Sequence, residues 1–170
     1  IYDDTINGRI DLGIVAYPAK HPQVSIIPFR QDRLVVVCPA DHAFSSSRKM
    51  SVEKLNGETF VGYERDISTR KAVDHFLRER GVTVRYAGED DHIETLKRAV
   101  EIGQGIAVIP HASVQREVEQ GTLKIIPVSE ESDDLMRPLG IIHKKSRHLP
   151  PAAVKFIDIL QEGKPAKIKP

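Results

Sequence analysis

The stretch that decides the fold is Ile93-Glu94-Thr95-Leu96-Lys97-Arg98-Ala99-Val100-Glu101-Ile102-Gly103-Gln104-Gly105-Ile106-Ala107-Val108-Ile109-Pro110. Ile93, Leu96 and Val100 recur at helical spacing, and Gly103 supplies the stop that such a helix needs. Ile106–Ile109 is then a short continuous apolar run, read as a buried strand closed by Pro110. The order excludes one tempting interpretation. A dinucleotide-binding fingerprint runs strand, glycines, helix, whereas here the glycines end a helix and lead into a strand. Gly103-Gln104-Gly105 is therefore a helix cap followed by a tight turn.

The same alternation extends outward. Upstream, Thr59–Tyr63 reads as a strand and Ala72, Val73, Phe76 and Leu77 as the stripe of a helix ended by Gly81. Val84–Ala87 is the next strand, reached after that helix. Downstream, a helix around Val114 and Val118 ends at Gly121, and Leu123–Ile126 is a strand. Further out, Leu12–Ala16 is a strand, and Ser25–Phe29 with Leu34–Cys38 is expected to form a hairpin turning through Arg30-Gln31-Asp32-Arg33. Ser51 is expected to cap a short helical turn. Leu139–His143 is a further strand, and Pro151 opens a helix whose stripe is Val154, Phe156, Ile157 and Leu160. Tyr2 and Ile6, four apart with Gly8 after them, are the last turns of a helix that has no N-cap before it. The chain is accordingly expected to begin inside an element, as a piece of a longer protein.

Two polar stretches punctuate this α/β order. Pro39–Lys49, with Ser45-Ser46-Ser47, and the acidic Glu130–Asp134 are the candidate linkers. They divide the chain into a first lobe of residues 1–43 plus 135–163 and a second lobe of residues 44–134, with 164–170 as a flexible tail. Two lobes joined by two crossings imply a cleft and a hinge.

Composition narrows the function. In 170 residues there are 25 basic and 24 acidic side chains, a net charge of +1, 5% aromatic residues and no Trp. A free-standing nucleic-acid binder carries a basic excess and stacking platforms, so this chain is not expected to bind DNA by itself. No apolar run approaches the roughly 20 residues of a membrane span. Cys38 is the one cysteine, so no disulfide can form within the chain, and a lone thiol fits a reducing, cytoplasmic compartment.

Chemistry-bearing groups are few. None of the seven histidines has another three or four residues away, so no metal site is assigned. There is no Gly-x-Ser-x-Gly elbow and no acid/base pair marked by spacing, and so no catalytic set and no cofactor. Asp91 and Glu94 have the spacing of a capping box, with His92 between cleft and solvent. The most suggestive segment is Tyr63-Glu64-Arg65-Asp66-Ile67-Ser68-Thr69-Arg70-Lys71, which joins the C-terminal end of a strand to a helix N-terminus. There α/β sheets place their ligands, and free N–H groups with the positive helix end favour an anion. Ser68 and Thr69 supply hydroxyls, Arg65 or Arg70 can pair a carboxylate, and Ser68 or Asp66 can cap the helix. A cleft without a catalytic set points to binding.

Gly8-Arg9-Ile10-Asp11-Leu12-Gly13-Ile14-Val15 resembles the G-x-x-D-L-x-I segment of the effector-binding domain of LysR-type transcriptional regulators. Leu34–His42, the 93–110 run and Pro138–Phe156 are similar to later segments of that family, and the resemblance covers essentially residues 1–163. It implies a periplasmic-binding-protein-like α/β fold of two Rossmann-like lobes, the first lobe incomplete here. It also implies a small effector, often an anion, held between the lobes. The positions carried over are Ala16 and Tyr17 after the first strand, Glu64, Arg65, Ser68 and Thr69, and Asp91 and His92. Family members form homo-oligomers and bind DNA through an N-terminal domain that this chain lacks. An uncovered first lobe is expected to favour self-association. The competing readings are an extracytoplasmic solute-binding protein and an enzyme of the same architecture.

Overall fold

Val24–Pro39 forms one uninterrupted strand of 16 residues where a hairpin is expected. The physical reason lies in Arg30-Gln31-Asp32-Arg33: the two-residue turns of hairpins call for a glycine at positive φ, and here the one turn-former, Asp32, is followed by Arg33, so little drives the chain to reverse. The computed structural model describes residues 1–128 and 135–162, so the acidic linker Glu130–Asp134 and the tail 164–170 lie outside the described residues. The elements are α1 (Tyr2–Ile6), β1 (Gly13–Ala16), β2 (Val24–Pro39), a 3-10 turn (Val52–Leu55), β3 (Thr59–Tyr63) and α2 (Ser68–Glu79). They continue with β4 (Arg85–Asp90), α3 (Ile93–Glu101), β5 (Ala107–Pro110), α4 (Gln115–Gln120), β6 (Leu123–Ile126), β7 (Met136–Lys144) and α5 (Pro151–Glu162). Ser51 takes the N-cap position of the 3-10 turn as expected, but its hydroxyl donates to the Glu53 carboxylate rather than accepting from a backbone N–H.

The chain divides into two units, Ile1–Gln31 with Pro138–Pro170 and Asp32–Arg137. In the second unit Leu34–Val37 pairs antiparallel with β5, and Val36–Pro39 pairs antiparallel with β6 on its other side. A strand flanked on both sides and covered on both faces is apolar throughout, as Leu34-Val35-Val36-Val37-Cys38 is. Alternate residues go to opposite layers. Leu34, Val36 and Cys38 pack with Phe60, Ile106 and the α2 residues Val73, Phe76 and Leu77. Val35 and Val37 pack with Val61, Ala107, Ile109 and the α3 residues Leu96 and Val100. Helices on two faces of one sheet give the layered α/β arrangement.

The Gly103–Gly105 turn behaves as its order implies. Gly103 is left-handed at φ +78°, and a Cβ on Gly105 would lie 2.7 Å from the Thr59 carbonyl oxygen. That close approach lets Ile106 N–H donate to Thr59 O and Val61 N–H to Ile106 O, both at 2.9 Å. β3 is thereby laid parallel to the start of β5, and β4 pairs parallel with β3.

In the first unit β1 pairs antiparallel with β7, from Gly13↔Ile142 to Ala16↔Leu139, and β7 neighbours β2. The stripe expected on α5 is only partly buried. Ile157 is buried together with Ala153 one turn earlier, whereas Val154, Phe156 and Ile159 are about half exposed.

Candidate functional site

β3 and β4 are parallel and in register at Tyr63↔Asp90, so the chain leaves both strands at the same edge. Glu64 N–H donates to Asp90 C=O at 3.2 Å and ties the two exits together. This brings Glu64 and Arg65 on one loop, with Ser68 and Thr69 opening α2 after it, to the edge where Asp91 and His92 lead into α3. Ala16 and Tyr17 belong to the other unit, at the end of β1. There Tyr17 is held at φ 51°, a left-handed conformation uncommon for a tyrosine, with its N–H on Pro138 C=O at 2.8 Å.

The N-terminus of α2 is uncapped. Ile67, not Ser68 or Asp66, occupies the N-cap, with no side-chain hydrogen bond there. An apolar cap residue has no oxygen to offer the first turn. Lys71 N–H to Ile67 O, at 3.1 Å, opens the helical ladder, so the N–H groups of Ser68, Thr69 and Arg70 precede it. Ser68 is exposed and Thr69 buried.

The α3 start also differs from the expected capping box. His92 is the N-cap, so the helix begins one residue later than that box requires, and Asp90 Oδ1 accepts the His92 N–H at 2.8 Å. Asp91 instead meets the His92 ring at Nδ1. Glu94 turns to Lys97, at 2.8 Å. Asp90, Asp91 and His92 bring one ligand-type atom each within 4.8 Å of one another at an open surface, held by these contacts.

Beneath the edge lies a network that reading the sequence missed. Arg70, 5% exposed, donates through Nε to both oxygens of Asp74 (3.0 and 2.9 Å) and through Nη1 to Tyr63 O (2.7 Å) and Glu89 Oε1 (2.9 Å). Its guanidinium stacks on the Tyr86 ring, and the Tyr86 hydroxyl donates to Asp74 at 2.8 Å. Burial works against the Arg70 charge, but hydrogen bonding to Glu89 and the Tyr86 and Asp74 interactions outweigh it and raise its pKa. The Arg70 hydrogen bond likewise holds the Glu89 carboxyl below the usual carboxylate range. Burial pushes Tyr63 up to about 12, against the pull of the Arg137 charge. The i, i+4 spacing of Arg70 and Asp74 was the available signal, but Glu89 and Tyr86 join them only through the β3–β4 pairing. Arg65, by contrast, is 84% exposed and reaches Glu89 at 3.4 Å.

The LysR substrate binding domain family matches residues 1–165. The RuBisCO operon transcriptional regulator of Allochromatium vinosum is 31% identical over 150 residues, 88% of this chain and 49% of that protein. The HTH-type transcriptional activator CmpR of Synechocystis is 29% identical over 160 residues, 94% and 52% respectively. The chain thus spans about half the length of the curated relatives it matches. Among solved structures, the Synechocystis CcmR regulatory domain in complex with 2-PG superposes with a TM-score of 0.84 at 26% identity, covering 95% of this chain and 76% of that one. The effector-binding domain of QuiR in complex with shikimate gives a TM-score of 0.82 at 18% identity, covering 95% and 75%, a likeness of fold. The mixed α/β architecture is therefore that of these regulatory domains.

Proposed function

The chain belongs to the family of LysR substrate-binding domains, and on that premise we propose that it senses a small anionic metabolite at the edge where β3 and β4 end. The family is one of transcriptional regulators, not of enzymes. The observation that carries the reading is the uncapped N-terminus of α2 at the exit of two parallel strands in register at Tyr63↔Asp90. Three N–H groups without helical partners and the positive helix end suit an anion. Ser68 and Thr69 add hydroxyl donors, and Arg65 adds a solvent-facing charge. Glu64, Asp66, Asp90 and Asp91 share the edge and repel an anion, which confines it to the helix end. In the whole regulator a DNA-binding domain outside this chain would read out the bound state in a cytoplasmic homo-oligomer. Among the described residues no helix is long and apolar enough to cross a membrane.

The 2-PG bound to the CcmR domain makes that compound the first probe. Titrating it into the wild type, Ser68→Ala and Thr69→Val tests the reading. A hydrogen bond to an anion is worth about 1.5–3 kcal/mol, so loss of either hydroxyl should weaken binding roughly ten- to hundredfold. Because Ser68 is not the cap, Ser68→Ala should leave the melting temperature nearly unchanged. Equal affinity in all three proteins overturns the assignment.

A further inference from the structure

Oε1 of Glu89 accepts from two arginines at once, from Arg70 Nη1 at 2.9 Å and from Arg65 Nε at 3.4 Å. The two partners are unequal. Arg70 is buried and is also held by Asp74, the Tyr63 carbonyl and the Tyr86 ring, so it stays in place whether or not Arg65 is present. Arg65 is 84% exposed, and its contact is long and falls on an oxygen that already takes a better bond. Glu89 therefore needs Arg65 far less than Arg65 needs a carboxylate. Arg65 also stands three residues before Ser68, at the positive end of α2.

We propose that Glu89 is a built-in competitor for Arg65, and that this competition makes the site select a compact, doubly charged phosphate-type anion over a simple carboxylate. The inference rests on the site reading given above. A carboxylate that takes Arg65 from Glu89 exchanges one carboxylate–arginine pair for a like one and gains little from it. A phosphate brings more charge and three acceptor oxygens, so the exchange favours it. Glu89 meanwhile keeps its bond to Arg70, and no buried charge is left without a partner.

The test uses inorganic phosphate and acetate, titrated into the 170-residue chain and followed by the backbone amide resonances of Ser68, Thr69 and Arg70. In the wild type phosphate should bind more tightly than acetate. Glu89→Gln removes the competing charge but leaves Arg70 its Asp74 pair. It should raise acetate affinity about two- to fivefold, the scale of one exposed ion pair, and phosphate affinity by less. In Arg65→Gln/Glu89→Gln the gain should vanish, because the competition runs through Arg65. Asp66→Asn removes a nearby carboxylate that makes no hydrogen bond or ion pair with Arg65 and separates competition from a general field. If Glu89→Gln and Asp66→Asn raise both anions equally, or Glu89→Gln raises neither while the three amides still respond to phosphate, the competitor role is overturned and the site stands. If the three amides respond to neither anion in the wild type or in Glu89→Gln, the site reading falls and the inference falls with it.

Discussion

The Arg70 guanidinium carbon stands 3.4 Å from the centroid of the Tyr86 ring, while Nε and Nη1 of the same group reach Asp74, Tyr63 and Glu89. One side chain of α2 thus fastens the end of β3, the end of β4 and its own helix. A guanidinium does this because it is planar enough to stack and has donors in a fixed fork; an ammonium has neither property. Arg70→Lys should therefore cost about 2 kcal/mol, and Arg70→Ala more, since the alanine leaves Asp74 and Glu89 without their shared cation. Urea unfolding followed by circular dichroism measures both. A loss below about 0.5 kcal/mol for Arg70→Lys would contradict the role of the fork.

A second ion pair should set the acid limit of the fold. Lys97 of α3 reaches Glu117 of α4 at 2.9 Å and the Ser113 carbonyl at 3.1 Å, with both side chains at least nine-tenths buried. The Lys97 hydrogen bond lowers the Glu117 pKa, which burial alone would raise. A carboxyl with a depressed folded-state pKa contributes stability above its unfolded value, near 4.5, and loses it as pH falls through the folded value. Lys97 is raised despite burial, chiefly by its bonds to Glu94 and Glu117, so its contribution holds below about 10.5 and fades only at higher pH. Unfolding free energy should thus vary little with this pair between about pH 6 and 9 and fall below about pH 4.5. Glu117→Gln should cost about 2–3 kcal/mol at pH 7 and flatten the acid slope, as chemical unfolding across pH would show.

Most of the second unit was legible because its signals are local. The Leu34–Cys38 run, the Ile93–Val100 stripe and the glycines at 81, 103 and 121 each mark an element by period or by cap. The capping assignments failed because they compared oxygens along the chain alone. Asp91 has the right spacing from Glu94, yet its carboxylate meets the His92 ring and Lys97 draws Glu94 away. The Arg70 network was out of reach for the same reason. The strand expected at Val84–Ala87 stops short of Glu89, whereas the parallel register with β3 carries β4 to Asp90. Only that pairing sets Glu89 and Tyr86 beside a helix that precedes them in the chain.

Gly105 should tolerate no side chain. A Cβ there would lie 2.7 Å from Thr59 O and 3.0 Å from Phe60 C, both backbone atoms that cannot turn aside. Gly105→Ala must push β3 away from Ile106, at about 1–3 kcal/mol. Weakened protection of the Val61 and Ile106 amides in hydrogen exchange would locate the damage; unchanged protection and unchanged stability would refute it.

Cys38 should be chemically silent while the protein is folded. It is fully buried, and burial, with Asp41 nearby, pushes its thiol up to about 11. The thiolate is the reactive form, and at pH 8 it is a minor species with no route to solvent. Labelling with a thiol reagent should proceed at the rate of unfolding and rise with added urea. Fast stoichiometric labelling in buffer would contradict this.

The two ends of the second unit meet in an ion pair. Asp32, its first residue, accepts from Arg137, its last, at 2.7 Å, with the side chains 12% and 18% exposed. Nε of Arg137 is buried with no hydrogen-bond partner among the described residues. A largely enclosed pair with an unmet donor sets desolvation against attraction and contributes little net stability, while removing Arg137 takes from Asp32 one of its partners. Arg137→Met should therefore cost about 1–3 kcal/mol, and Asp32→Asn/Arg137→Met less than the sum of the single changes, by about 0.5–2 kcal/mol of coupling. A spectroscopic consequence follows from the same charge. Arg137 opposes the burial that raises Tyr63, so Arg137→Met should move the Tyr63 titration further upward, read as later ionisation in the ultraviolet phenolate band, with Tyr63→Phe assigning the signal. Additive unfolding energies would show that the two residues act independently, and an unmoved Tyr63 titration would show that the Arg137 charge is not felt at the end of β3.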